Sequence, residues 1–259
     1  MLAIIGGSGL SQLSNLDVAS RRIARTPYGE PSSVLTFGRL GKEEAIFLAR
    51  HGHQHTMPPH RVNYRANLWA LRENGATHIV SVASVGGILA GLNPGDLIIP
   101  HQILDYTWGR ASSFFEEEGT PVTHIDFTEP YDARLRQSLL DAAKMAGIPA
   151  RDGGVYAATQ GPRLETAAEI NRLERDGAEI VGMTGMPEAA LARELEIPYA
   201  MISLVANHAA GRNGSHHGID FGQLETVLSE AMEKVRAMLA RIALPREERN
   251  THQAKGGEP

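Results

Sequence analysis

The sequence predicts an α/β fold of one domain, with strands and helices interleaved along the chain. Short apolar runs rich in β-branched residues alternate with longer amphipathic stretches from end to end, a pattern of α/β architecture and not of separate α and β blocks. Most of the apolar runs end in Gly, Ser, Thr, Asn or His, residues that turn a chain at a strand's end. With 259 residues and 42% hydrophobic content, the chain can bury one sizeable core.

In chain order, strands are expected at residues 2–5, 45–49, 79–83, 97–99, 155–158, 180–183 and 199–205. Amphipathic helices are expected at 62–73, 133–146, 166–175, 187–195 and, as the longest, about 221–242. The last carries Leu224, Val227, Leu228, Ala231, Val235, Met238, Leu239 and Ile242 at helical spacing, so one stripe should face the core. Between Trp108 and Pro130 no period is visible, and a run of that length without one predicts a functional or interface loop. The domain is expected to span residues 1–244. Residues 245–259 are polar and aperiodic, which predicts a disordered tail.

Composition excludes several classes of function. The net charge of −5 is spread without a basic run, so the electrostatic footprint of a nucleic-acid binder is missing. There is no cysteine, hence no disulfide framework and no thiolate metal site. The apolar start is too short for a signal segment, and no later run is long enough to span a bilayer. A cytoplasmic protein without a membrane partner is the expectation.

Five polar or glycine-rich clusters fall at expected strand ends, where open α/β sheets place their ligand crevice. Gly6-Gly7-Ser8-Gly9-Leu10 lets backbone N–H groups and a hydroxyl approach a phosphate closely, or is simply a tight turn; it matches neither the dinucleotide fingerprint nor a P-loop. Arg50-His51-Gly52-His53-Gln54-His55 is either an anion site, with Arg50 and His51 as donors, or a histidine metal site through His51, His53 and His55, or a solvated loop. Ser84-Val85-Gly86-Gly87 closes a third strand. Leu164-Glu165-Thr166 enters a helix, where Glu165 is equally explained as a first-turn carboxylate. Thr184 precedes Pro187-Glu188 and is equally explained as a helix cap. Asn207 ends the last strand and is equally explained as a turn residue.

Together, Gly6-Gly7-Ser8-Gly9-Leu10, Ala49-Arg50-His51-Gly52, Val62-Asn63-Tyr64-Arg65-Ala66-Asn67, Gly161-Pro162-Arg163, and Met183-Thr184 with Pro187-Glu188 closely resemble the trimeric purine nucleoside phosphorylases, above all their methylthioadenosine phosphorylase branch. The resemblance runs in order from residue 2 to about residue 240. It implies a central mixed sheet wrapped by helices, a homotrimer, phosphate as co-substrate, and neither metal nor organic cofactor. Position by position, it places Ser8, Arg50, His51, Ser84 and Thr184 on phosphate and Met183 beneath the ribose. His124 is implied to reach a neighbouring subunit's site. Ala83 stands where Asn or Thr is usual.

The base pocket departs from the adenine-specific pattern of Ser, Asp and a second Asp: Glu165, Asn207 and Ala209 occupy those positions, as in members that bind 6-oxopurines. Hypoxanthine offers an N1–H to a carboxylate and an O6 to an amide NH₂, whereas adenine reverses that pattern. Glu165 and Asn207 are therefore the expected catalytic stabilisers of the departing base, alongside His51 at the phosphate, with Leu164 beside Glu165. Where relatives that take a 5′-hydroxyl carry a His, this chain has Phe221, with Leu224 one turn on; both also suit the helix's core stripe, and His216 and His217 lie nearby. The expected reaction is phosphorolysis of S-methyl-5′-thioinosine. Inosine or guanosine, or methylthioadenosine, are the alternative substrates. A histidine-bound metal hydrolase and a non-enzymatic nucleoside binder are the readings from other classes.

Overall fold

The computed structural model describes residues 1–245, so all of the expected polar tail except Pro245 lies outside the described residues. The frame is an eleven-stranded mixed sheet. Its centre is β1 (Leu2–Gly6), which pairs in parallel with β4 (Glu43–Ala49) and β5 (His78–Gly87). Before β4 come β2 (Asp17–Arg22) and β3 (Leu35–Leu40), which extend that edge in antiparallel fashion.

β1 alternates across the sheet. Ala3 and Ile5 join Leu68 and Leu191 in one core, while Leu2 and Ile4 join Leu139, Val235 and Met238 in the other. A strand buried on both faces reads as an unbroken apolar run, which is why residues 2–5 were legible. The first core is covered by α1 (Tyr64–Glu73) and α4 (Gly185–Glu194), the second by α2 (Ala133–Met145) and α5 (Phe221–Leu239). Ile242 and Leu244 still pack on the second core.

β5 also pairs in parallel with β11 (Tyr199–His208), and at Gly86 and Gly87 it meets β10 (Ile180–Gly182) in antiparallel pairing. From β10 the sheet continues through β9 (Val155–Ala158) to β7 (Gln102–Asp105), while β6 (Leu97–Ile99) and β8 (Ala150–Asp152) extend it from β11. The ends of β1, β4, β5, β10 and β11 thereby converge. α3 (Ala167–Arg175) packs Ile170 and Leu173 onto Val181 and Ala209 beside that convergence.

Every expected strand is present, the last extended to His208. Four further strands, β2, β3, β7 and β8, were not expected from the sequence. β2 and β8 lie at sheet edges with mostly exposed side chains, and β7 is a half-exposed edge strand, so their pairing leaves no apolar run to read. Two helix starts move past their caps: Asn63 and Thr166 each accept a backbone N–H from the first turn and stand just outside the helix, as Asp132 does before α2, which begins at Ala133 as expected. Residues 108–130 contain neither helix nor strand, as their lack of period predicts.

Candidate active site

A cavity of about 680 Å³ opens where the strand ends converge. Ser8, Arg50, His51, Ser84, Leu164, Glu165, Met183, Thr184, Asn207, Phe221 and Leu224 all line it, so residues from seven separate chain segments meet in one space. His124 does not; it is exposed on the irregular 108–130 segment. His216 and His217 line a more open hollow next to the cavity and not the cavity itself.

Arg50 follows directly on β4 and is completely buried. Its Nε and Nη2 donate to the two carboxylate oxygens of Glu188 at 2.8 and 2.9 Å, Nη2 also reaches Ser81 Oγ at 2.6 Å, and Nη1 donates to the Val82 carbonyl at 3.1 Å. Tyr199 donates its hydroxyl to Glu188 Oε1 at 2.8 Å. Most of the guanidinium fork that the sequence assigned wholly to an anion is therefore committed inside the protein. Nη1 retains a second N–H, and it lies against the Gly7 backbone: a Cβ there would be 2.7 Å from Nη1 and 2.6 Å from the Val82 carbonyl. Glycine at position 7 is what lets this atom and the Val82 carbonyl pack so close to the turn after β1.

His51 is buried beside it, with Nδ1 2.8 Å from the Met57 carbonyl oxygen. A carbonyl only accepts, so Nδ1 carries the hydrogen. Burial and the adjacent Arg50 charge push the ring's pKa down to about 4, which leaves it neutral at physiological pH. Nε2 is then an acceptor, not the second donor expected from the sequence. His55, unassigned from the sequence except as a metal candidate, also lines the cavity; its Nε2 is 3.4 Å from Ser8 Oγ and its ring 4.6 Å from that of His51. His53 is exposed and lines no part of the cavity, and among the described residues no three His, Cys, Asp or Glu converge as metal ligands would.

Thr184 precedes α4, but its hydroxyl makes no capping bond. The turn is instead anchored by Tyr156, whose buried hydroxyl accepts from the Thr184 and Gly185 backbone N–H groups at 3.1 and 3.3 Å. The cap explanation of Thr184 is thereby replaced by a side chain that bonds to Tyr156 and lines the cavity. Met183 is brought close by Gly161, where φ is +59° and a Cβ would sit 2.4 Å from the Met183 sulfur. Only glycine is compatible with both.

Glu165 is not a first-turn carboxylate. The α3 cap is Thr166, and the reciprocal carboxylate of its capping box is Glu169. Glu165 lies before the helix and accepts from Thr159 Oγ1 at 2.6 Å. Asn207 is not in a turn either. It sits within β11, just past an irregularity in the pairing with β5 between Val205 and Asn207, and its Nδ2 donates to the His208 carbonyl at 2.6 Å. That carbonyl fixes which end of the amide is nitrogen. Ala209 is buried at the cavity wall, where it leaves no polar group.

Phe221 opens α5 but is 65% exposed, so it does not belong to the core stripe; Leu228, further along the helix, is buried. Phe221, Leu224, Leu228 and Ile219 form an apolar side of the cavity. The sequence missed Glu188, Tyr156 and Tyr199. Glu188 stood in a quoted motif, but its partner is 138 residues away and nothing local distinguishes it from an ordinary helix-start carboxylate.

The chain matches the family described as the phosphorylase superfamily over residues 1–243. It is 52% identical over 240 residues to a probable S-methyl-5′-thioinosine phosphorylase of Pseudomonas syringae, covering 93% of this chain and 97% of the relative. It is 42% identical over 257 residues to a 6-oxopurine nucleoside phosphorylase of Pyrococcus furiosus, covering 96% and 94%. Among solved structures, a methylthioadenosine phosphorylase of Schistosoma mansoni in complex with adenine superposes with a TM-score of 0.88 at 32% identity, covering 93% and 89% of the two chains. By family match, by identity along nearly its whole length and by fold, this chain is a member of the phosphorylase superfamily.

Proposed function

We propose that the chain cleaves S-methyl-5′-thioinosine with inorganic phosphate, giving hypoxanthine and 5-methylthioribose 1-phosphate. The observation that carries this reading is one cavity lined at once by an anion-suited cluster, a carboxylate with an amide, and an apolar wall. Phosphate is held by Ser8, Thr184, the Ser84 backbone and the free N–H of Arg50 Nη1. His51 Nε2 accepts the hydrogen of a protonated phosphate oxygen. A phosphate oxygen attacks C1′ over the Met183 side while the C1′–N9 bond breaks, and its electron pair leaves on the purine. Glu165 accepts N1–H and the second N–H of Asn207 donates to O6; N7 takes a proton from solvent water as the C1′–N9 pair leaves on the base, and Asn207 Oδ1 accepts from that N7–H. The bond donated to O6 strengthens as charge builds on the base, and the proton on N7 neutralises that charge, which together lower the barrier.

The apolar wall of Phe221, Leu224 and Leu228 suits a methylthio group better than a 5′-hydroxyl, and the relative from Pseudomonas syringae is named for that substrate. A second reading, inosine and guanosine phosphorolysis, is favoured by the relative from Pyrococcus furiosus. No metal or organic cofactor takes part in the proposed reaction. The working form is proposed to be a cytoplasmic homotrimer, with His124 serving a neighbour's site; the side chain's exposure away from its own chain's cavity supports this. Among the described residues no helix is long and apolar enough to cross a membrane.

The test is turnover of methylthioinosine, methylthioadenosine, inosine and guanosine, each with and without phosphate and with a chelator. Phosphate-dependent turnover, fastest with methylthioinosine and indifferent to the chelator, is expected. Hydrolysis in phosphate-free buffer, or activity lost to the chelator and restored by zinc, would overturn the reading. Within the same panel Phe221→His is expected to raise the inosine to methylthioinosine ratio of kcat/KM about ten- to two-hundredfold, since an apolar contact of this size is worth roughly 1–3 kcal/mol. An unchanged ratio in a folded variant would remove Phe221 from the 5′ pocket.

A further inference from the structure

Arg110 lies in the aperiodic segment after β7 and is half-buried, yet among the described residues it forms no ion pair. Its guanidinium is satisfied almost wholly by backbone carbonyls. Nη1 donates to the Met183 and Met186 carbonyls at 2.8 and 2.6 Å and approaches Tyr64 Oη at 3.3 Å. Nη2 donates to the Thr159 and Gln160 carbonyls at 3.3 and 2.9 Å, and Nε to Gln160 Oε1 at 3.2 Å. With its donors spent, this side chain is not itself a ligand for substrate.

What it joins is informative. The Met183–Met186 turn carries the residue proposed to lie under the ribose and the Thr184 hydroxyl proposed to hold phosphate. The Thr159–Gln160 turn leads into Glu165, and Thr159 Oγ1 donates to that carboxylate. One rigid, planar group therefore spans the turn that carries the nucleophile's site and the turn that carries the base's site. We infer that Arg110 is a positioning residue that fixes the distance between phosphate and purine in the reactive complex. The inference rests on the proposed phosphorolysis. The two turns are already joined at their bases, by the β9–β10 pairing, by the Thr159 N–H donating to the Gly182 carbonyl at 2.8 Å, and by Tyr156 of β9 at the Thr184 and Gly185 N–H groups. The physical basis is that Arg110 adds a tie further out, from Gln160 to Met186, with a fork whose donor geometry an ammonium cannot copy.

Loss of the fork should leave each half able to bind its own ligand while the reacting atoms fall out of register, and misplacement by about 1 Å can cost about a hundredfold in rate. The experiment compares wild type, Arg110→Met and Arg110→Lys. Calorimetry gives the Kd and number of sites for inorganic phosphate and for hypoxanthine, and kcat is expressed per binding site so that misfolded protein does not count. Expected are a kcat lower by about ten- to a hundredfold in both variants, with both Kd values within about threefold of wild type, the rate moving and the affinities not.

An unchanged kcat per site would overturn the inference, as would Kd values that rise in step with the loss of rate, which is what a collapsed site would give. Recovery of wild-type kcat by Arg110→Lys would also overturn it, because charge alone would then suffice. Should Arg110→Met fail to fold, Arg110→Lys retains the charge and carries the comparison alone. Wild type without phosphate-dependent turnover overturns the function as well as the inference; wild-type turnover matched by the variants overturns the inference only.

Discussion

Arg50→Leu is expected to lose about 3–5 kcal/mol of stability, while Arg50→Leu/Glu188→Leu recovers much of it without recovering the use of phosphate. Arg50 and Glu188 are both completely buried and bonded through two oxygens of the carboxylate. Removing the cation strands a carboxylate in the core with only the Tyr199 hydroxyl to serve it. Removing both leaves no buried charge, and apolar replacements of a buried pair are often neutral. The Tyr199 and Ser81 hydroxyls each lose a partner and keep only their bond to each other, so the recovery stays incomplete. Phosphate, however, loses a charge-assisted donor in both variants. Such a bond is worth about 1.5–3 kcal/mol, so the phosphate KM should rise about ten- to a hundredfold, with the nucleoside KM little changed. Guanidinium chloride unfolding and initial-rate kinetics read the two effects separately. A stable single variant would show that the pair carries no folding energy; a double variant with wild-type phosphate KM would remove Arg50 from the phosphate site.

That separation could not be planned from sequence, and the reason is general to this molecule. The runs at 2–5, 79–83 and 199–205 were legible because strands buried on both faces impose their own composition over a few consecutive residues. The clusters at their ends were legible for the same reason, since each is local. Glu188 and Arg110 were not legible in their roles, because those roles are set by groups far off in the chain: Arg50 for the first, the 159–160 and 183–186 turns for the second. His51 shows the same limit at finer scale. Its position beside Arg50 was readable, but whether it donates or accepts depends on the Met57 carbonyl. Phe221 shows the converse: helical periodicity suited the core, and only the placement of α5 against the cavity exposes the ring.

Asn207→Asp is expected to lower kcat/KM for methylthioinosine by roughly ten- to a hundredfold, the cost of one or two mispaired buried groups at about 1–3 kcal/mol each. Asn207 already gives one N–H to the His208 carbonyl, so its second N–H and its oxygen are what remain for O6 and a protonated N7. An ionised carboxylate only accepts. It would face the His208 carbonyl on one side and O6 on the other, and both repel it until it takes up a proton. Its pKa should therefore rise, and the variant's activity should fall more steeply than that of wild type as pH increases through that raised value. The single change should not yield an efficient adenine enzyme, because Glu165, held by Thr159 at 2.6 Å, still presents an acceptor to adenine's unprotonated N1. Ala209 supplies no polar group to offset this. Adding Glu165→Ser and Ala209→Asp should shift the preference toward methylthioadenosine, since the wall then carries acceptors for N6 and a hydroxyl for N1. Measuring kcat/KM for both nucleosides across pH in wild type, single and triple variants decides the matter. A wild type that already prefers methylthioadenosine would show that Glu165 and Asn207 do not read the 6-position at all, and the pairing argument would fail at its root.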